Sequence, residues 1–239
     1  CFNFAPPNDG ALPALPQHTM AEVEKIRADQ EALAQIAAPT GAAGTLPVQQ
    51  RGIRPSRALP YELHATSHVT ASAIEIMFAN TGTQAAVFQV YDKNNLLLAP
   101  RRYTVEAGKS LAGSWMLSVT GGYDLFLLGP NGFHRSYTGA AAITNAASSN
   151  PDIALCYDIA NGDVLLTMSN SGAMPVDFAL TANAYFSTVA QIFTVAAGEA
   201  AQQTLVLKDS GHWYDFTVST TGTNAIRRRF AGRVETGKP

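Results

Sequence analysis

At 239 residues the chain can hold one or two ordinary domains, and a hydrophobic fraction of 46% is enough to fill their cores. Only 14% of residues are charged and the net charge is −2, so no long-range field draws nucleic acid or an anionic membrane toward it. The surface must rest on Ser, Thr, Asn and Gln, a composition that suits an exported protein.

The chain opens at Cys1 in a Pro- and Phe-rich stretch, with no Met and no signal peptide. Such a start reads as part of a longer polypeptide. No apolar run approaches the roughly 20 residues needed to cross a bilayer. The two cysteines, Cys1 and Cys156, match no metal spacing. They are expected to stay unpaired, with Cys156 acting as a small apolar residue in a strand.

Residues 1–50 are rich in Ala, Pro and Gln and show no alternation. Thr19 and Glu22 have the spacing of a capping box. Val23, Ile26, Leu33 and Ile36 then recur at helical intervals until Pro39 and Gly41, predicting a helix over 20–37 that needs something to dock on. Residues 40–60, punctuated by Gly and Pro, read as an extended linker.

From Leu59 the period becomes 2. Tyr61 and Leu63 alternate with Glu62 and His64, and Ile74, Ile76 and Phe78 with Glu75 and Met77. Further short strands run to Tyr137, separated by Asn80-Thr81-Gly82, Asn94-Asn95, Ala107-Gly108, Gly121-Gly122 and Gly129-Pro130-Asn131-Gly132. Short alternating strands with strong turn signals predict an all-β sandwich.

The pattern then repeats. Asn80-Thr81-Gly82 returns as Asn170-Ser171-Gly172 and Val105-Glu106-Ala107-Gly108 as Val195-Ala196-Ala197-Gly198, each 90 residues later. Tyr123-Asp124 returns as Tyr214-Asp215 at a lag of 91, and Phe133-His134-Arg135 as Ile226-Arg227-Arg228 at 93. A lag that grows by small steps marks a duplication with loop insertions. The chain is therefore expected to divide into 1–50, a first sandwich over 51–147 and a second over 148–239. The sandwiches should be immunoglobulin- or fibronectin-III-like.

The repeated residues have structural explanations. Asn-x-Gly supplies turn chemistry through positive φ and a missing Cβ, while Gly108 and Gly198 mark strand reversals. Tyr-Asp suits a tyrosine corner, in which the hydroxyl ties a loop to backbone, or a plainly packed Tyr. Asp124 and Asp215 should hydrogen-bond backbone rather than form a catalytic pair. The five histidines offer no metal set: His64 and His68 lie about 13 Å apart along one strand, and His18, His134 and His212 lack partners at ligand spacing. Nucleophile elbow, phosphate loop and dinucleotide fingerprint are all missing. No cofactor is expected. Arg227-Arg228-Arg229 reads as a solvated edge strand or a phosphate-contacting patch. Phe133, Tyr185 and Phe186 are the aromatics that could meet a lipid or sugar from loops, whereas Trp115 and Trp213 should fill cores.

The segment Arg54-Pro55-Ser56-Arg57-Ala58-Leu59-Pro60-Tyr61, the paired Asn-x-Gly and Val-x-Ala-Gly motifs, and the Tyr-Asp and Gly-x-Phe-x-Arg ends resemble the C-terminal tandem domains of bacterial phosphocholine-preferring phospholipases C. That family belongs to the acid phosphatase/phospholipase C phosphoesterase group. Residues 1–50 resemble the end of its catalytic domain. The resemblance implies a secreted parent that hydrolyses phosphatidylcholine or sphingomyelin at a site upstream of Cys1, so no catalytic or metal residue carries over. It also implies that the catalytic domain of the same polypeptide, and a membrane phospholipid surface, are the partners. A lipid-headgroup or carbohydrate module and an adhesin-like array are the competing readings; nucleic acid is not expected.

Overall fold

The structure, a computed structural model, describes residues 18–34, 59–141, 148–186, 190–222 and 224–237. Residues 1–51 and 52–239 form separate compact units. In the first, helix α1 spans Met20–Ala34. Its start is the expected capping box: the Glu22 N–H donates to Thr19 Oγ1 and the Thr19 N–H to Glu22 Oε2, at 3.3 and 2.7 Å. The remainder of the expected helix, most of the linker and Cys1 lie outside the described residues.

The second unit holds fourteen strands among its described residues. Those of the first repeat are β1 (Leu63–Val69), β2 (Ala73–Asn80), β3 (Ala86–Asp92), β4 (Arg101–Val105), β5 (Lys109–Met116), β6 (Gly122–Leu128) and β7 (His134–Ala140). Those of the second are β8 (Pro151–Asp158), β9 (Asp163–Asn170), β10 (Val176–Ala184), β11 (Gln191–Val195), β12 (Ala200–Leu205), β13 (Trp213–Thr220) and β14 (Arg227–Arg233). Alternation dictates the faces. Ile74, Ile76 and Phe78 are fully buried, while Glu75 and Met77 between them are exposed.

Each repeat sets three strands against four. In the first, β1-β2-β5 faces β4-β3-β6-β7; in the second, β8-β9-β12 faces β11-β10-β13-β14. This is a seven-strand sandwich of the immunoglobulin and fibronectin III kind. Each has its own core, one built around Phe78, Phe88 and Trp115, the other around Phe178, Tyr214 and Phe216.

The repeats are not two separate beads. The last strands, β7 and β14, pair antiparallel and join both four-stranded sheets into one sheet of eight. In that register Ser136 lies opposite Arg229, which are equivalent positions of the duplication, so a local twofold axis passes between them. The expected edge strand at Arg227–Arg229 is therefore an interior strand. Pairing with its own duplicate covers the exposed backbone that charges would otherwise protect.

The Asn-x-Gly motifs work differently from the expected turn. Neither motif has positive φ. Asn80 and Asn170 are buried, and their amides tie strand ends together. Asn80 Nδ2 donates to Gln84 O and Val105 O at 2.7 and 3.1 Å, and Asn170 Nδ2 to Met174 O and Val195 O at 2.8 and 3.3 Å. Each Oδ1 accepts the N–H of the glycine two residues on. The glycines permit close approach: a Cβ on Gly172 would overlap the backbone of Ser148 and Asn150, and one on Gly82 that of Pro60 and Glu62. By contrast, Gly108 and Gly198 do have positive φ, 68° and 74°, where the chain crosses from one sheet to the other.

Gly172→Ala is accordingly expected to cost about 1–3 kcal/mol through forced backbone displacement. Urea denaturation should show that loss; a variant within 0.5 kcal/mol of the parent would refute the close-approach role.

Candidate functional site

The duplicated Tyr and Arg residues meet at the centre of the long sheet. Arg135 Nη2 donates to the Tyr214 hydroxyl of the other repeat at 2.9 Å, and Arg228 Nη2 donates to the Tyr123 hydroxyl at 2.7 Å. The remaining contacts follow the same twofold. Arg135 Nη1 reaches His134 O and Ala231 O, and Arg228 Nη1 reaches Arg227 O and Thr138 O. Both guanidiniums are 2% exposed, and neither has a carboxylate among its hydrogen-bond or ion-pair partners. Aromatic faces take that place: Phe133 at 4.1 Å from Arg135, and Tyr123 and Tyr137 each at 5.3 Å from Arg228.

Several expectations are corrected by this arrangement. Tyr123 and Tyr214 are neither tyrosine corners nor passive fillers, since each hydroxyl accepts from the opposite repeat's arginine. The backbone-tying hydroxyls belong to other residues: Tyr137 donates to Ala65 O and Tyr157 to Leu63 O, at 2.8 and 2.9 Å. Among the residues expected at a contact surface, Arg228 and Phe133 are buried, so neither projects from the outer surface. Arg227 is exposed, and Arg229 is half-buried. Tyr185 is 52% exposed, with φ 68°, and stacks on Trp213 at 6.2 Å. Phe186 packs on the second core. These six side chains do not form one site.

On the outer face of the sheet, Arg229 holds Asp215 with two hydrogen bonds of 2.8 and 2.6 Å, and Asn183 donates a third of 2.9 Å. Burial alone would push the Asp215 carboxyl up, but these donors outweigh it and hold the pKa below the ordinary value. Asp124 similarly accepts from the Thr138 hydroxyl and pairs with Lys93 at 3.1 Å. Both carboxylates are thus engaged by side chains and not, as expected, by backbone. His134 lies beside this cluster; burial first, then the cations Arg229 and Arg135, bring its pKa from 6.5 down to about 4.

The remaining histidines are dispersed. His64 contacts Thr81 and Glu62, and His212 Nδ1 lies 2.9 Å from Gly162 O. Among the described residues no three His, Cys, Asp or Glu side chains converge as a metal set. Cys156 does lie in a strand, β8, but is exposed.

The most exposed apolar feature is one that sequence reasoning passed over. After the one-turn helix Lys93–Asn95, capped by Asp92 Oδ1 at 2.9 Å from the Asn94 N–H, come Leu96, Leu97 and Leu98. They are 63%, 103% and 69% exposed. Met116 and Val119 are also exposed, and Met116 shares a hollow with Asn94 and Asn95. Arg101, whose guanidinium lies 5.1 Å from the Trp115 ring, and Arg102 flank the loop. The available signal was three consecutive leucines between a turn and Ala99-Pro100, fitting neither strand nor helix periodicity.

The sequence profile of the bacterial phospholipase C C-terminal domain matches residues 55–140 and again 151–233. The chain belongs to this family. It is 39% identical over its whole length to a non-hemolytic phospholipase C of Burkholderia pseudomallei, and 38% identical over 99% of its length to a non-hemolytic phospholipase C of Pseudomonas aeruginosa. A hemolytic phospholipase C of P. aeruginosa is 33% identical over 82% of the chain. The chain spans about a third of the length of these relatives. The two profile matches are the two sandwiches, so in this family member the domain is present twice and joined through β7 and β14.

Two measurements test the seam. Tyr214→Phe removes the acceptor of Arg135 and should cost about 1–3 kcal/mol in urea denaturation; an unchanged midpoint would contradict the reciprocal exchange. For His134, the folded pKa lies below the unfolded one, so as pH falls the unfolded chain takes up the proton first. Its contribution is complete above about pH 6.5, declines toward pH 4 and is flat below. Allowing for partial exposure, His134→Gln should flatten about 1–2 kcal/mol of that decline.

Proposed function

We propose that this chain is the non-catalytic C-terminal region of a secreted bacterial phospholipase C, and that it holds the catalytic domain of the same polypeptide against a phospholipid surface. Membership of the C-terminal domain family, and the chain's one-third share of its phospholipase relatives, support the first part. The observation that carries the second is the Leu96–Leu98 tip.

Three exposed leucines on a short capped loop expose apolar area that water disfavours, while Arg101 and Arg102 beside them suit phosphate groups at a bilayer surface. A fully inserted leucine gains about 1.5–3 kcal/mol. The tip therefore supports shallow, reversible docking, and sets orientation better than it anchors. On this reading the contact is an aliphatic loop of the first repeat, not Tyr185 and Phe186 of the second.

Co-sedimentation of the full chain with phosphatidylcholine vesicles tests the reading. Vesicle-dependent pelleting is expected, with Leu97→Asp weakening it about tenfold or more, the equivalent of 1.4 kcal/mol. Pelleting that is missing, or indifferent to Leu97, would leave only the supporting role. Turnover of a chromogenic phosphocholine ester by the chain alone should stay at the buffer rate.

A further inference from the structure

The two repeats share one framework, but it is broken next to the buried arginines. Tyr157 pairs with Val164 in the β8–β9 ladder, and Val69 pairs with Ile74 in the β1–β2 ladder. Because Val164 and Ile74 are 90 residues apart, Val69 is the counterpart of Tyr157. Beside Arg135, the Tyr157 hydroxyl accepts a second Nη2 hydrogen bond at 2.9 Å and passes its own proton to Leu63 O. Beside Arg228 no such hydroxyl stands among the described residues.

Two differences accompany that change. Arg228 Nη2 has one acceptor where Arg135 Nη2 has two, and Arg228 Nε–H has none among the described residues. Among the described residues nothing fills the space a phenol would occupy. A cleft of about 240 Å³ is lined by Val69, Pro151, Tyr123, Ile226 and Arg228. Its counterpart, lined by Tyr157, Leu63 and Phe133, has about 20 Å³. Ser67, His68, Asn150 and Ser171 make the open cleft polar, and Asp152 is its one carboxylate, held by the Ile153 N–H at 2.8 Å.

A guanidinium that is 2% exposed, without a carboxylate partner and with an idle Nε–H, is costly to keep charged. Nε–H and the outer Nη2–H lie on one edge of the planar group, the fork that fits two oxygens of a carboxylate or phosphate. We propose that the cleft between the repeats is a binding site for a small, singly charged oxyanion, a carboxylate or a phosphate group, seated on Arg228 where Tyr157 serves Arg135. The Asp152 carboxylate on the same wall disfavours multiply charged ligands. The site is separate from the leucine tip and stands whether or not the chain docks on lipid.

The test is titration of the full 239-residue chain with inorganic phosphate and with acetate, against chloride at equal ionic strength. Saturable binding of at least one is expected, and which one binds tells phosphate from carboxylate. Val69→Tyr should fill the cleft as its counterpart is filled, weakening binding at least tenfold without lowering the unfolding temperature. In the unsubstituted chain the Arg228 Nε–H resonance should shift with saturation, a readout that does not need the variant to fold. No saturable binding of either anion, binding that survives Val69→Tyr in a folded variant, or an unmoved Arg228 resonance would each overturn the proposal.

Discussion

Two buried guanidiniums, each donating to a tyrosine hydroxyl of the other repeat, are the constraint on which the rest of the structure depends. Removing an arginine side chain from water costs several kcal/mol unless its donors find acceptors. Here the acceptors are phenols and backbone carbonyls, and many of them belong to the opposite sandwich. Neither sandwich can satisfy its own arginine, so separation would strand both charges. The β7–β14 ladder sets the register, and the reciprocal bonds allow only one: a slip by one residue would turn Arg135 and Arg228 to the outer face and bring His134 and Arg229 inward.

This exchange gives the duplication a physical purpose. A lone copy would leave its last strand as an open edge. Two copies related by a local twofold close each other's edge and leave β4 and β11 at the ends of the long sheet. Rigidity follows from it. Both sandwiches become one body built on a continuous sheet.

Both contacts we propose lie where the symmetry fails. The framework residues Asn80 and Asn170, Tyr123 and Tyr214, and Arg135 and Arg228 recur at matched positions. The exposed run Leu96–Leu98 belongs to the first repeat, and Val69 replaces the Tyr157 of the second. Neither position donates to or accepts from the reciprocal arginine–tyrosine pairs.

By itself the sequence determined the succession of short strands, the duplication and its lag, the capping box, and the strand reversals at Gly108 and Gly198. These are legible because each rests on local periodicity or on residues a few positions apart. The sequence also carried the family motifs. It could not show that Arg227–Arg229 lies inside a sheet, since a charged run on a strand looks the same at an edge and at a centre; only the partner strand, some ninety residues away, distinguishes them. Nor could it show that Tyr123 and Tyr214 bind arginines across the seam, or that Val69 opens a cleft. Those depend on which atoms the twofold brings within 3 Å, and that is decided by how the two sandwiches pair through β7 and β14.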